Sequence, residues 1–409
     1  MTHIWQSVRS GDWLTADRAR GYSLILLAIA VIAMAGWIAI SDGLIDRNGK
    51  PLGTDFSNVY AAGELTWQGR PADAYDPALQ HAAEKATFGG RAVPFFGWHY
   101  PPFFFVIAFL VAAFPYAWGL ALWLAASLAA YLAVVRAILP RPETLLIAAA
   151  FPAVFVNVGH GQNGFLTAAL LGGALQLLDR RPWLAGVLIG LLAYKPQFGV
   201  LIPVALFASQ RWSSIVAAVA TIAALVAISF ATLGGGVWHA FIDSMNFTQT
   251  VVLEQGGTGW EKIQSIFSAA RNWGADIRTA YAIQTALAVT LAATLAWLWH
   301  SDAAFELKAS ALATASLLAT PYVLDYDLVV LAVAIAFFVR HGFARGFRDY
   351  EISLLAAAWI VPLLSRGVAG ATGIPLGLIA MLALYAFTLK RALRDRESVK
   401  ISAPRIAQV

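Results

Sequence analysis

Residues 22–40 read YSLILLAIAVIAMAGWIAI. No charge interrupts this run, and its length matches the roughly 20 helical residues that cross about 30 Å of hydrocarbon. It follows a charged N-terminal stretch, as the core of a signal peptide would. It is long for that role, and no small-x-small site precedes Ser41-Asp42-Gly43, so it reads as a retained transmembrane helix. Outward from it, further apolar blocks fall at 103–114, 116–138, 143–159, 162–178, 183–209, 213–233, 279–299, 303–321, 327–340, 350–366 and 368–389. Hydrophobic residues make up 59% of the 409 residues and charged residues 12%. A soluble domain carries about a quarter charged residues. The expectation is an all-α, polytopic membrane bundle of about 12 transmembrane helices, a single embedded unit over 1–409. Two long external loops interrupt it, at 41–100, with juxtamembrane helices, and at 234–278.

There is no cysteine, which excludes disulfides and thiolate metal sites. The seven histidines show no HExxH or other ligand spacing. The net charge of +5 comes largely from basic residues in short loops beside apolar blocks. That pattern orients helices in a bilayer and gives no reason to expect nucleic acid. Arg18 and Arg20, Arg136 and Arg141, Arg180 and Arg181, Arg211, Arg340, Arg345 and Arg348, and Lys390 and Arg391 can all lie on the cytoplasmic side together. Both termini are then inside. This layout makes 103–114 a juxtamembrane or re-entrant piece and splits 183–209 into two short helices meeting at Lys195-Pro196. A rival layout makes both blocks true spans and puts Arg180 and Arg181 outside.

Ionisable residues are costly at membrane depth and few are present, so each needs a reason. Lys195, in Tyr194-Lys195-Pro196-Gln197, reads either as a lysine snorkelling beside a proline kink or as a cation for a lipid-borne phosphate. His160, Gln162 and Asn163 lie in the glycine-rich turn Gly159-His160-Gly161-Gln162-Asn163-Gly164, which is either a plain polar turn or a close approach to a ligand. Asp325 and Asp327 read as helix caps or as acids able to meet a cation, with no third oxygen ligand nearby. Asp55 lies in Gly53-Thr54-Asp55-Phe56-Ser57-Asn58, outside and soon after the first helix, followed by Glu64. The stretch 56–67 mixes apolar and polar residues as an interfacial helix does.

A first helix followed by an external acid among aromatics resembles the membrane glycosyltransferases of GT-C type. More narrowly, the chain resembles glycosyltransferase family 87, the polyprenol-phosphate-mannose-dependent α-1,2-mannosyltransferase group. The resembling residues are Asp55-Phe56 with Tyr60-Ala61-Ala62, and Gly69-Arg70-Pro71-Ala72-Asp73-Ala74-Tyr75-Asp76. Next come Tyr100-Pro101-Pro102, Gly161-Gln162-Asn163, Ala185-Gly186-Val187 leading to Lys195-Pro196, Arg211-Trp212, and Gln264-Ser265-Ile266-Phe267 with Arg271. Where the family often carries a histidine, this chain reads Asp325-Tyr326-Asp327.

The resemblance implies transfer of a hexose, mannose by default, from a polyprenyl-phosphate sugar to a hydroxyl of a glycan or glycolipid, with inversion. It implies Asp55 as the base. Lys195, Arg271 and His160 are then candidates for the donor phosphate. Glu64, Tyr100, Gln162, Asn163, Gln264, Ser265, Asp325 and Asp327 are candidates for substrate contacts. No DxD follows the first helix, since Asp55 has Ser57 at i+2, and no metal or other cofactor is expected. The site is expected on the external face of the inner membrane. The aromatic stretch with Phe103, Phe104, Phe105 and Phe114 is a candidate groove for the lipid tail. A lipid or sugar-lipid transporter is the rival class. It predicts paired deep charges and symmetric halves, and neither is seen. A membrane scaffold would be indifferent to any single acid.

Overall fold

The computed structural model describes residues 2–402, whose regular secondary structure is helical, with isolated bridges and no strand among them. Helix α1 (Thr2–Ser10) precedes α2 (Ala16–Ala39), whose start is fixed by Thr15 accepting from the Arg18 N–H. The first long loop holds α3 (Phe56–Trp67) and α4 (Pro77–Thr87), and α5 (Phe105–Val111) follows it. Then come α6 (Tyr116–Ile138), α7 (Thr144–Ala149), α8 (Pro152–His160), α9 (Gly164–Leu177), α10 (Pro182–Leu191), α11 (Ile202–Ala208) and α12 (Trp212–Leu233). The second long segment contains α13 (Gly235–Phe247) and α14 (Ile266–Asn272). The chain ends with α15 (Ile277–His300), α16 (Phe305–Leu318), α17 (Leu331–Arg345), α18 (Glu351–Thr372) and α19 (Leu376–Ser402).

Seven helices among the described residues are long and apolar enough to cross a membrane. They are α2, α6, α12, α15, α17 with the short turn before it, α18 and α19. The expected dozen is not reached by such helices, because several apolar blocks are broken or short. Phe151-Pro152 divides 143–159 into α7 and α8. Helices α9 and α16 have 14 residues each and are buried on nearly all sides, which is how an all-apolar helix behaves at the centre of a bundle.

Block 183–209 breaks at Lys195, whose backbone leaves the helical region at φ −124°, ψ 73°. Proline at 196 disfavours helix at the preceding residue and lacks the N–H that would continue the ladder. The two halves turn back on themselves, since Arg211 after α11 pairs with Asp179 before α10 at 2.6 Å. Arg180, Arg181 and Arg211 therefore share one end, as the charge pattern requires. Helix α10 lies close on α12 through Gly186 and Gly190. A Cβ at Gly186 would stand 2.4 Å from the Ser214 carbonyl oxygen and one at Gly190 2.5 Å from Thr221 Cβ. Small residues four apart let helices meet this closely where lipid supplies no hydrophobic drive.

Contacts sort the helix ends into two groups. One end gathers the Arg20–Glu143 pair, Gln176 with Arg340 at 3.2 Å, and Arg9 with Asp349 at 2.7 Å. It also holds Arg391, 2% exposed, between Glu351 at 2.7 Å and Asp395 at 2.9 Å. The opposite end gathers the first loop, the α8–α9 turn, the 260–273 segment, the 320–327 turn and the junction of α18 with α19. Trp273 donates to the Gly373 carbonyl there at 2.9 Å.

Helix α3 is not a surface-lying interfacial helix. Residues Phe56 to Gly63 are buried. The Phe56 and Tyr60 rings lie 5.3 and 5.1 Å from Tyr116, and Tyr116 itself donates to the Leu52 carbonyl at 2.8 Å. The short α5 covers α3 and lies beside it, and block 103–114 forms no helix long enough to cross a membrane. The tail-groove expectation for this stretch fails in part. Phe104 and Phe105 are 4% and 1% exposed and pack on Tyr194 and Trp98 respectively, leaving them no open face.

Candidate active site

Asp55 is the residue before α3. An aspartate there ordinarily accepts from the first free N–H groups of the helix, but the Asp55 side chain caps nothing. Its backbone N–H is tied instead to the His160 carbonyl at 3.0 Å. Its Oδ2 accepts from Gln162 Nε2 at 3.0 Å and lies 3.7 Å from His160 Nδ1. His160 Nδ1 is in turn 2.9 Å from Thr54 Oγ1. The Asp55 side chain remains 18% exposed, enough for a small nucleophile to reach it.

The α8–α9 turn is built to make this approach. Gly161 sits at φ +63°, and a Cβ there would stand 2.6 Å from Phe56 Cβ. Only glycine takes that conformation and that contact together. Trp123 fixes the Gly161 carbonyl at 3.1 Å. The buried Asn157 holds the turn from within, donating to the Gln162 carbonyl at 2.9 Å and accepting from the Gly164 N–H at 2.8 Å.

Tyr100 extends the network. Its hydroxyl donates to Gln162 Oε1 at 3.3 Å and accepts from Asn163 Nδ2 at 2.7 Å. Burial, with the nearby Asp55 charge, pushes this phenol well above its ordinary range, so it acts as a neutral hydroxyl. His99, next to it, is pushed down to about 4 by burial, against the pull of Asp55, and is neutral near pH 7.

Lys195 is buried, with its Nζ 2.6 Å from Asp327 Oδ1. Asp327 Oδ2 also accepts from the Leu324 N–H at 3.0 Å, closing the turn before α17. The sequence expectation of Lys195 as a phosphate cation and Asp327 as a substrate contact meets a competing fact, since each neutralises the other. Asp325 differs. Its Oδ1 accepts from the Tyr326 N–H at 2.9 Å and its Oδ2 lies 3.9 Å from Arg366. The Tyr326 ring lies 5.8 Å from His160, which joins the 325–327 turn to the Asp55 side.

The remaining candidates divide. Gln264 is tied to the 320–327 turn, its N–H donating to the Val323 carbonyl at 2.7 Å. Ser265 caps α14 by accepting from the Ser268 N–H at 3.0 Å, which uses its hydroxyl structurally. Arg271 is turned into the second external segment, donating to the carbonyls of Ala275 at 2.8 Å and Glu254 at 3.2 Å with its guanidinium over Trp260. It is not brought together with Lys195 or His160. Glu64 lies nine residues along α3 from Asp55. At 1.5 Å per residue that is about 13 Å away, and it does not join the Asp55 group.

The structure adds Lys262 and Arg366, which sequence reasoning passed over. The Asp325 N–H donates to the Lys262 carbonyl at 3.0 Å, through a bridge between Ile263 and Leu324. Arg366 offered a signal. It ends the apolar block 350–366 at the end of the bundle away from the other loop arginines.

No group of three or more metal-ligating side chains occurs among the described residues. Behind the Lys195-Pro196 break lies an apolar cavity of about 290 Å³, lined by Leu192, Pro196, Val200, Pro203, Ile215 and Ile222 among others.

An uncapped, partly exposed carboxylate lies beside Gln162 and His160 at one end of an apolar helical bundle. The profile of glycosyltransferase family 87 matches residues 98–321, more than half of the chain, and the chain belongs to that family. No curated protein and no solved structure matches it. Tyr100, the 160–163 turn, Lys195 and Gln264 fall inside the matched segment. Asp55 and Arg366 fall outside it, and Asp55 joins it through Gln162.

Proposed function

We propose that this glycosyltransferase moves a hexose, mannose first among them, from a polyprenyl-phosphate sugar to a hydroxyl of a lipid-linked or polysaccharide acceptor. Configuration inverts at the anomeric carbon, and the reaction runs without a metal. The acceptor O–H gives its proton to Asp55 as oxygen bonds to C1. The C1–O bond to phosphate breaks, and its electron pair leaves with the polyprenyl phosphate. General-base help of this kind is worth about 10²–10⁴-fold.

The observation that carries this reading is the Asp55 carboxylate. It is released from helix capping, held by Gln162 at 3.0 Å and still open to an incoming group. Two features support a lipid-linked donor. The site lies at an end of a bundle whose helices suit a membrane, and an apolar cavity adjoins the Lys195-Pro196 break. We place the site on the external face of the inner membrane and both termini in the cytoplasm, because the arginine-rich end is the opposite one.

The test is transfer by the purified protein in proteoliposomes, with labelled polyprenyl-phosphate mannose and a nucleotide-linked mannose supplied in parallel. Product from the polyprenyl donor, undiminished by a chelator, supports the reading. Product from the nucleotide donor alone contradicts it.

A further inference from the structure

We propose that Lys262 and Arg366 together form the seat of the lipid-borne phosphate that leaves in this reaction. The inference rests on the reading above and assigns two residues to it.

The Lys195 charge is already met by Asp327. Near Asp55 and Asp325, the 260–273 segment brings Lys262 and α18 brings Arg366, with Lys50 of the first loop also close to Lys262. The 260–273 segment and α18 run against each other. Arg366 and Gly370 are one turn apart on α18, and a Cβ at Gly370 would lie 3.8 Å from the Glu261 side chain. Lys262 is the next residue, fixed to the Asp325 N–H through its carbonyl at 3.0 Å. Arg366 reaches toward Asp325 from the other side, 3.9 Å away, with 44% of its side chain exposed. The Lys262 ammonium makes no ion pair or hydrogen bond among the described residues. It is half-buried. Burial, then repulsion from Arg366, lowers its pKa, while Asp55 and Asp325 pull the other way. Two cations held near each other repel, and an anion between them relieves that.

The reaction supplies that anion at the right moment. The donor phosphodiester carries one negative charge and the departing polyprenyl phosphate carries two. The extra charge comes from the acceptor hydroxyl, whose proton neutralises Asp55. Negative charge thus moves from Asp55 to the phosphate as the bond breaks. Lys262, which feels Asp55 in the resting state, loses that attraction as the phosphate gains charge. A cation placed so favours the transition state over the ground state. Arg366 suits the fork geometry of phosphate oxygens and Lys262 acts as a point charge.

The test uses full-length protein in nanodiscs, with Lys262→Gln, Arg366→Gln, Lys262→Arg and Arg366→Lys. Binding of polyprenyl phosphate and of the matching polyprenol is measured, together with kcat for sugar transfer. Each glutamine variant is expected to weaken polyprenyl phosphate about tenfold or more, to leave polyprenol unchanged and to lower kcat about 10²-fold. The charge-conserving variants are expected to retain part of both. Glutamine variants that bind polyprenyl phosphate like the wild type overturn the assignment while wild-type transfer still stands. Equal loss of both lipids also overturns it, as a general distortion. A wild type that does not distinguish the phosphate from the alcohol overturns the polyprenyl-phosphate reading and this assignment with it.

Discussion

Gln162 Nε2 donates to Asp55 Oδ2 at 3.0 Å across 107 positions of sequence, and this bond stands where a helix cap would otherwise be. It joins the first external loop to the turn between α8 and α9. It also aims the carboxylate away from its own helix. The position of the acid is therefore set by two elements that a glycine, Gly161, lets approach within contact.

Replacing Gln162 with leucine removes that donor while keeping the side chain's bulk. Misplacement of a reacting group by about 1 Å can cost about 10²-fold. The expected result is a kcat reduced by about ten- to a hundredfold with KM for the donor little changed, measured by initial rates in proteoliposomes. An altered KM with unchanged kcat would make Gln162 a binding residue and not a positioning one.

The Lys195–Asp327 pair predicts a stability effect. Removing one partner of a buried pair leaves an uncompensated charge and costs about 3–5 kcal/mol. Lys195→Met and Asp327→Leu should each lower the thermal midpoint in detergent strongly, and the double variant should recover much of the loss. If Lys195→Met unfolds at the wild-type temperature yet no longer binds polyprenyl phosphate, the lysine serves the donor and the pairing is incidental.

Glu84 gives a pH dependence. It is fully buried on α4, its carboxyl accepting from the Phe96 N–H at 3.1 Å. Burial, aided by the Asp55 charge, raises its pKa from the usual 4.5 to about 8. Between those values the folded state holds a proton that the unfolded state has lost, so stability falls as pH rises. The contribution is fully present below pH about 4.5 and gone above about 8. Thermal midpoints in detergent from pH 5 to 9 should fall for the wild type, and the fall should be smaller in Glu84→Gln. Parallel curves would remove Glu84 as the cause.

Much of this was legible in the chain. The run at 22–40, the loop arginines and the Lys195-Pro196 break give a helical membrane bundle with a hairpin of half-helices, because apolar length, charge bias and proline each act locally. The number of long helices was not legible. Whether 143–159 crosses as one helix depends on how α7 and α8 pack around Phe151-Pro152. Asp55, Tyr100 and the 160–163 turn were legible as types of residue in suggestive places. Their meeting was not, since hydrogen bonds between residues a hundred positions apart leave no periodic trace. Lys195 is legible as a charge needing a reason, but its partner, Asp327, lies 132 positions away. Lys262 was hidden among ordinary loop charges, and Arg366 by its place at the edge of an apolar block.

The central claim is that the Asp55 carboxylate takes the acceptor's proton. Asp55→Asn keeps the size and can still bond to Gln162, but it removes the base. The direct measurement is the rate of sugar transfer by Asp55→Asn in proteoliposomes, with folding checked by its thermal midpoint. A folded variant whose kcat has fallen by about 10²–10⁴-fold is the expected result. A folded variant that transfers sugar at the wild-type rate would contradict it.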